Sequence, residues 1–297
     1  MSNPEIKEPA PNAGSFDPVA AFLERKFRKK GPLIQLRKAD KGTPVYFIHE
    51  LTGAVSCYHH IVEAIEAPIF GIQVPQPERS VDSVSTIESL AAKYVGIILK
   101  NQPEGPIHLV GWSAGTTTTL EVACQLTSIG RQPQILVNID QPLDNAKGIV
   151  SNAHSFLENM YYWLCNEPKW PLSKFGRRLL EKFTETIRTL AGRPSPNPKG
   201  QVHGAQPTID KAETPEEGDF IRKFYDLHCA YIPPRSYSGQ VLSFVARENP
   251  EPDKLIRSWK SVAPNSQFIF IPGDHLGLVK GPGVMELREH MRKAFSG

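Results

Sequence analysis

From residue 44 onward, short apolar runs alternate with stretches in which apolar residues recur at helical spacing. The runs are 44–48 (PVYFI), 68–74 (PIFGIQV), 107–111 (IHLVG), 135–139 (ILVNI), 240–246 (QVLSFVA) and 267–271 (QFIFI). Continuous Val, Ile and Phe over so few residues suits strands buried on both faces. Between them, Ile87, Leu90, Ala91, Tyr94, Val95 and Ile98 repeat with the period of a helix. So do Leu120, Val122, Ala123 and Leu126, up to Gly130, a natural helix stop. Strands alternating with such helices give an α/β fold built on a mostly parallel, doubly wound sheet.

One interval breaks the alternation. Between about Leu143 and Arg235 the pattern is helical throughout (Phe156, Leu157, Met160, Tyr161, Leu164; Leu179, Leu180, Phe183, Ile187; Phe220, Ile221, Phe224, Leu227), apart from a Pro- and Gly-rich loop from Gly192 to Thr208. A helical insertion between two strands of an open sheet is expected to cap the strand ends, where ligands bind in such folds. Residues 1–18 are rich in Pro, Asn, Gly and Ser and read as a disordered lead or linker. The expected organisation is therefore a lead over 1–18, a first core part over 19–142, a helical lid over 143–235 and a second core part over 236–297. A short basic helix is expected around Phe22 to Lys30, with Phe22, Leu23 and Phe27 on one face.

Composition narrows the classes. The 34 Lys and Arg nearly balance 31 Asp and Glu, and a net charge of +3 gives no footprint for nucleic acid. No run of about 18 apolar residues offers a membrane span, and the polar N-terminus lacks the apolar stretch of a signal peptide. A soluble cytoplasmic protein is expected. Cys57, Cys124, Cys165 and Cys229 show no CxxC spacing, so they read as reduced, partly buried thiols with neither a metal nor a redox role.

The candidate chemistry lies in Gly111-Trp112-Ser113-Ala114-Gly115, which follows the 107–111 strand and opens the helix of residues 114–126. On a strand-to-helix turn, Gly111 and Gly115 must be small because a larger side chain would block the crossing. Such a turn lifts the Ser113 hydroxyl to the top of the sheet at a helix N-terminus, where amides and the helix dipole favour developing negative charge. Thr116 to Thr119 have low helix propensity, so packing against the sheet must hold this helix.

A serine hydroxyl needs a base, and the base needs an orienting acid. His275, in Pro272-Gly273-Asp274-His275, follows the last strand and reaches the same sheet edge as Ser113. His108 lies within a strand, His290 on the last helix, and His59 and His60 on an early helix, so they fit worse. Asp140, closing the 135–139 strand, is the preferred acid. Asp253, in the Pro-rich stretch after the 240–246 strand, is its rival. For the oxyanion hole the amide of Ala114 is one donor, and the loop His49-Glu50-Leu51-Thr52-Gly53 offers Leu51 or Thr52 as the other, with Leu51 preferred. His59 and His60 read as helix surface, and Gly281-Pro282-Gly283 as the start of the last helix and not a phosphate cradle.

Over about residues 31–295 the chain resembles the type I thioesterase domains of polyketide synthases and nonribosomal peptide synthetases, members of the α/β-hydrolase superfamily. The likeness rests on Val45-Tyr46-Phe47-Ile48-His49 with Gly53, on Gly105-Pro106-Ile107-His108-Leu109-Val110-Gly111-Trp112-Ser113-Ala114-Gly115, and on Leu120-Glu121-Val122-Ala123 with Leu126 and Gly130. It continues in Ile139-Asp140, in Tyr231-Ile232-Pro233-Pro234 with Gly239, and in Trp259 followed by Gly273-Asp274-His275. The resemblance implies an α/β-hydrolase fold, Asp140 as the acid, and a substrate presented as a thioester on the phosphopantetheine of an acyl or peptidyl carrier protein. Ser113 would take the acyl chain, and water or an internal nucleophile would release it, with no further cofactor or metal. Two positions depart from the family pattern. Thr116 stands where a second glycine is usual, and Glu50 replaces a proline and is expected to face away from the oxyanion hole. A carboxylesterase or lipase would use the same residues, and a non-catalytic carrier-binding relative would keep the fold; the intact Ser, Asp and His argue against the latter.

Overall fold

The computed structural model describes residues 18–28, 30–75, 84–143, 212, 214–233 and 236–296. Among the described residues seven strands form one sheet: β1 (Leu33–Arg37), β2 (Val45–Ile48), β3 (Ile69–Ile72), β4 (His108–Trp112), β5 (Ile135–Ile139), β6 (Val241–Ala246) and β7 (Gln267–Ile271). Their order is β1-β3-β2-β4-β5-β6-β7; β1 pairs antiparallel with β3, and every other pairing is parallel. This is the mostly parallel α/β sheet expected from the alternating pattern, in the α/β-hydrolase arrangement that the resemblance implied. The antiparallel edge strand β1 was not anticipated, because Leu33-Ile34-Gln35-Leu36-Arg37 carries polar residues where the central strands have none.

The α-helices among the described residues are α1 (Pro18–Arg28), α2 (His59–Val62), α3 (Ile87–Asn101), α4 (Gly115–Ser128), α5 (Pro215–Ala230), α6 (Pro252–Val262), α7 (Gly277–Lys280) and α8 (Val284–Ala294). Strand side chains alternate between two apolar layers. Tyr46, Ile48, Leu109, Leu136, Val241 and Val245 pack with residues of α3 to α6. Phe47, Val110, Trp112, Val137, Ile139, Leu242 and Phe244 pack with residues of α1, α2, α7 and α8.

Local chemistry sets the helix ends. Thr86 and Ser89 form a reciprocal capping box at α3, with Ser89 N–H donating to Thr86 Oγ1 at 3.1 Å and Thr86 N–H to Ser89 Oγ at 3.2 Å. Beyond α4, Gly130 takes φ +76°, which lets the Arg131 amide reach back to the Leu126 carbonyl at 2.8 Å. The helix α6 runs through residues read as the end of a Pro-rich loop. Pro252 sits in its first turn, where a missing N–H is harmless, and Leu255, Trp259 and Val262 form its buried stripe.

Most of the expected lid, residues 144–211 with Cys165, lies outside the described residues. Its described remainder includes α5, capped by the Thr214 hydroxyl at the Glu217 amide, with Phe220, Ile221 and Phe224 buried on the sheet. In α1, Phe27 is buried and Leu23 packs beside it, but Phe22 is 56% exposed, so the three do not share one covered face. Among the described residues Cys57, Cys124 and Cys229 form no disulfide, and burial pushes the Cys124 thiol up to about 12. Among the described residues no helix is long and apolar enough to cross a membrane, and no three His, Cys, Asp or Glu side chains gather as metal ligands.

His108, buried on β4 with its ring 4.8 Å from that of Phe295, has its pKa lowered by burial from 6.5 to about 4. The unfolded chain therefore takes up this proton more readily than the folded one. The resulting penalty is absent above pH 6.5 and grows as the pH falls toward 4, by up to about 1.4 kcal/mol per pH unit. Urea midpoints measured across that window should show a shallower pH slope in His108→Leu than in the unsubstituted protein.

Candidate active site

Ser113 stands between β4 and α4 with φ 53°, a left-handed conformation unfavourable for any residue with a Cβ. The crossing explains it. A Cβ on Gly115 would lie 2.2 Å from the His49 carbonyl oxygen, and one on Gly111 would lie 2.4 Å from Thr119 Oγ1 and 2.8 Å from Thr116 Cα. The turn closes through the Thr116 amide, which donates to the Ser113 carbonyl at 2.9 Å. The two glycines have the steric role expected of them.

Tyr58 ties the elbow to the neighbouring loop. Its hydroxyl donates to the Ile48 carbonyl at 2.7 Å and accepts from the Trp112 amide at 3.0 Å, so it holds the ends of β2 and β4 together. Burial raises its pKa well above the usual phenol value, which keeps the donating proton in place.

Beyond β2, the Glu50 carboxylate turns onto its own loop, where it accepts from the Thr52 amide at 3.0 Å and from the Thr52 hydroxyl. The Thr52 amide is therefore occupied. Among the described residues the amides of Leu51 and Ala114 make no hydrogen bond, and both residues are buried. Those are the two donors preferred from the sequence.

Asp140 follows β5 and also has positive φ, at 52°. Its amide donates to the Phe244 carbonyl at 2.8 Å. One carboxylate oxygen, Oδ1, accepts from the Ala246 amide at 2.9 Å and from Asn249 Nδ2 at 2.8 Å. The other, Oδ2, lies 3.1 Å from His275 Nδ1. With a carboxylate facing Nδ1, the imidazole proton sits on that nitrogen and Nε2 is left as an acceptor. The His275 ring stacks on Trp112 with centroids 5.2 Å apart, and its carbonyl accepts from Trp112 Nε1 at 3.3 Å. Its side chain is 41% exposed, whereas that of Asp140 is 2% exposed.

The structure thus joins Asp140 to His275 and seats that pair against the residue preceding Ser113. No hydrogen bond joins Ser113 Oγ to His275 among the described residues, as is common before substrate binds. Asp253 lies exposed in the first turn of α6 and makes no hydrogen bond to His275.

Residues 43–157, which include the elbow and Asp140, match the model of the thioesterase domain. Over this part of its length the chain is similar to thioesterase domains. The chain is 25% identical over 314 aligned residues to the non-reducing polyketide synthase stmB of Aspergillus ustus, covering 98% of this chain and 15% of that protein. It is 38% identical over 112 residues to the non-reducing polyketide synthase Dhc5 of Alternaria cinerariae, covering 36% of this chain and 5% of that protein. The chain therefore spans only a small fraction of these relatives. A solved structure of the NocB thioesterase domain, in covalent complex with a fluorophosphonate nocardicin G analogue, has the same fold. Its TM-score is 0.59 at 19% identity, over 89% of this chain and 100% of that one.

Within this site, the sequence pattern did not point to Asn249, Tyr58 or Asn138. Asn138 is fully buried, donates to Ser243 Oγ at 2.8 Å, and accepts from the Thr116 hydroxyl and the Gln141 amide at 3.2 Å each. The threonine that replaces a glycine is thereby bonded to the strand that delivers Asp140. The only sequence signal was an asparagine in an otherwise apolar run, Ile135-Leu136-Val137-Asn138-Ile139.

Gly115→Ala should destabilise the domain by about 1–3 kcal/mol in urea unfolding, because its methyl group meets backbone that cannot withdraw. Asn249→Ala should cost about 1.5–3 kcal/mol through loss of a hydrogen bond to a buried carboxylate, whereas Asp253→Asn should leave the unfolding midpoint within about 0.5 kcal/mol.

Proposed function

We propose that this chain is a serine thioesterase that releases an acyl, polyketide or peptide chain from the phosphopantetheine thioester of a carrier protein, through an acyl-Ser113 intermediate. The observation that supports the reading best is the 3.1 Å contact between Asp140 and His275, stacked on Trp112 beside a left-handed Ser113 at a helix N-terminus. The match to the thioesterase family and the likeness to polyketide synthases favour a carrier-borne thioester over an oxygen ester.

In this reading Asp140 holds the His275 proton on Nδ1, so Nε2 takes the Ser113 proton as Oγ attacks the thioester carbonyl. The new C–O bond places negative charge on the former carbonyl oxygen, which the amides of Leu51 and Ala114 receive. Collapse breaks the C–S bond, and His275 returns its proton to the departing pantetheine sulfur. Water, or a hydroxyl or amine of the bound chain, then attacks the Ser113 ester with His275 again as base. Attack by water gives an acid; internal attack gives a ring.

Ser113→Ala should lower turnover of acyl-pantetheine thioesters by about a thousandfold or more. Retention of full turnover in that variant would exclude an acyl-serine route. A fluorophosphonate should label Ser113 in the unsubstituted protein and fail to label it in His275→Ala. Matched thioesters and oxygen esters should be cleaved with a clear preference for the thioester; the opposite preference would indicate a carboxylesterase.

A further inference from the structure

Among the described residues, the buried histidine whose ring bridges the elements that carry Ser113 and Asp140 is His228. It stands near the C-terminal end of α5 and is 8% exposed. Its Nδ1 lies 3.2 Å from Thr117 Oγ1, in the first turn of α4 after Ser113. Its Nε2 lies 3.3 Å from the amide nitrogen of Gln141, the residue after Asp140. Gln141 is anchored independently, since its backbone amide donates to Asn138 Oδ1 at 3.2 Å and its carbonyl accepts from Trp259 Nε1 at 2.8 Å.

The protons in this bridge determine one another. An amide nitrogen only donates, so His228 Nε2 accepts from Gln141 and carries no hydrogen. The neutral ring then has its proton on Nδ1 and donates to Thr117 Oγ1. The Thr117 hydroxyl in turn donates to the Ala114 carbonyl at 3.0 Å. Turning the Gln141 amide over would reverse this order and give up its 3.3 Å contact with the Pro142 carbonyl. The donors therefore run one way, from Gln141 through His228 and Thr117 to Ala114.

We infer that His228 is a positioning residue, neutral with its proton on Nδ1, which locks α5 to the nucleophile turn and to the acid loop and so sets their relative placement. The inference rests on the serine thioesterase reading for its effect on turnover. Its hydrogen-bond content does not, because the tautomer is measurable in an inactive protein.

Nitrogen NMR of protein labelled selectively at histidine, at about pH 8 and with His228→Asn for assignment, should show His228 as the Nδ1–H tautomer. An Nε2–H tautomer would overturn the inference. On acyl-pantetheine thioesters, His228→Leu should lower kcat about ten- to a hundredfold with KM within about threefold, as expected when reacting groups are displaced and not removed. Thr117→Val, which loses the acceptor at nearly constant volume, should do the same even where His228→Leu folds poorly. The double variant should be no worse than the poorer single one, since both break one bridge. Multiplying losses, or a KM effect with kcat unchanged, would refute the lock. If the unsubstituted protein takes up no fluorophosphonate at Ser113, the thioesterase reading fails, and the tautomer still decides the bridge.

Discussion

The crossing of β4 into α4 is so tight that neither residue 111 nor residue 115 has room for a side chain. With both flanks closed, the chain can pass only if Ser113 adopts a left-handed conformation that a residue with a Cβ normally avoids. The strain is sustained by the surrounding structure: the His49 carbonyl behind Gly115, the Tyr58 bridge between β2 and β4, and the parallel pairing of those strands. What results is a hydroxyl raised at the start of a helix, beside amides that have no internal partner.

Among the described residues, the non-glycine positions with positive φ are Ser113 and Asp140. The two follow the adjacent central strands β4 and β5, each at the point where a side chain must leave the sheet at a fixed angle. A carboxylate as buried as Asp140 would be costly without partners. Donation from Ala246 and Asn249 to one oxygen leaves the other directed at His275. The Asp140 carboxylate is thus oriented by β6 and the turn that follows it, elements that carry neither Asp140 nor His275.

The four threonines that open α4 weaken its intrinsic helicity, and three of their hydroxyls are taken up by specific partners. Thr116 bonds Asn138, Thr117 bonds the Ala114 carbonyl and His228, and Thr119 bonds the Gly115 carbonyl. A segment that is a poor helix by propensity becomes a rigid one because its side chains anchor it to β5 and α5.

By itself the sequence determined what depends on local order. Apolar runs marked the central strands, and Gly-Trp-Ser-Ala-Gly between a strand and a helix marked the elbow, since steric exclusion over five residues needs no distant partner. The histidine after the last strand was legible for a related reason, because parallel strands bring their C-terminal ends to one edge. Between Asp140 and Asp253 the sequence offered a preference only; contact with a residue 135 positions away in the chain distinguishes them. Asn249, Tyr58 and His228 were silent for the same physical reason. Their hydrogen bonds span 109, 54 and 111 positions. Such pairings exist only after the sheet has assembled, so tertiary structure alone decided which polar side chains orient the site.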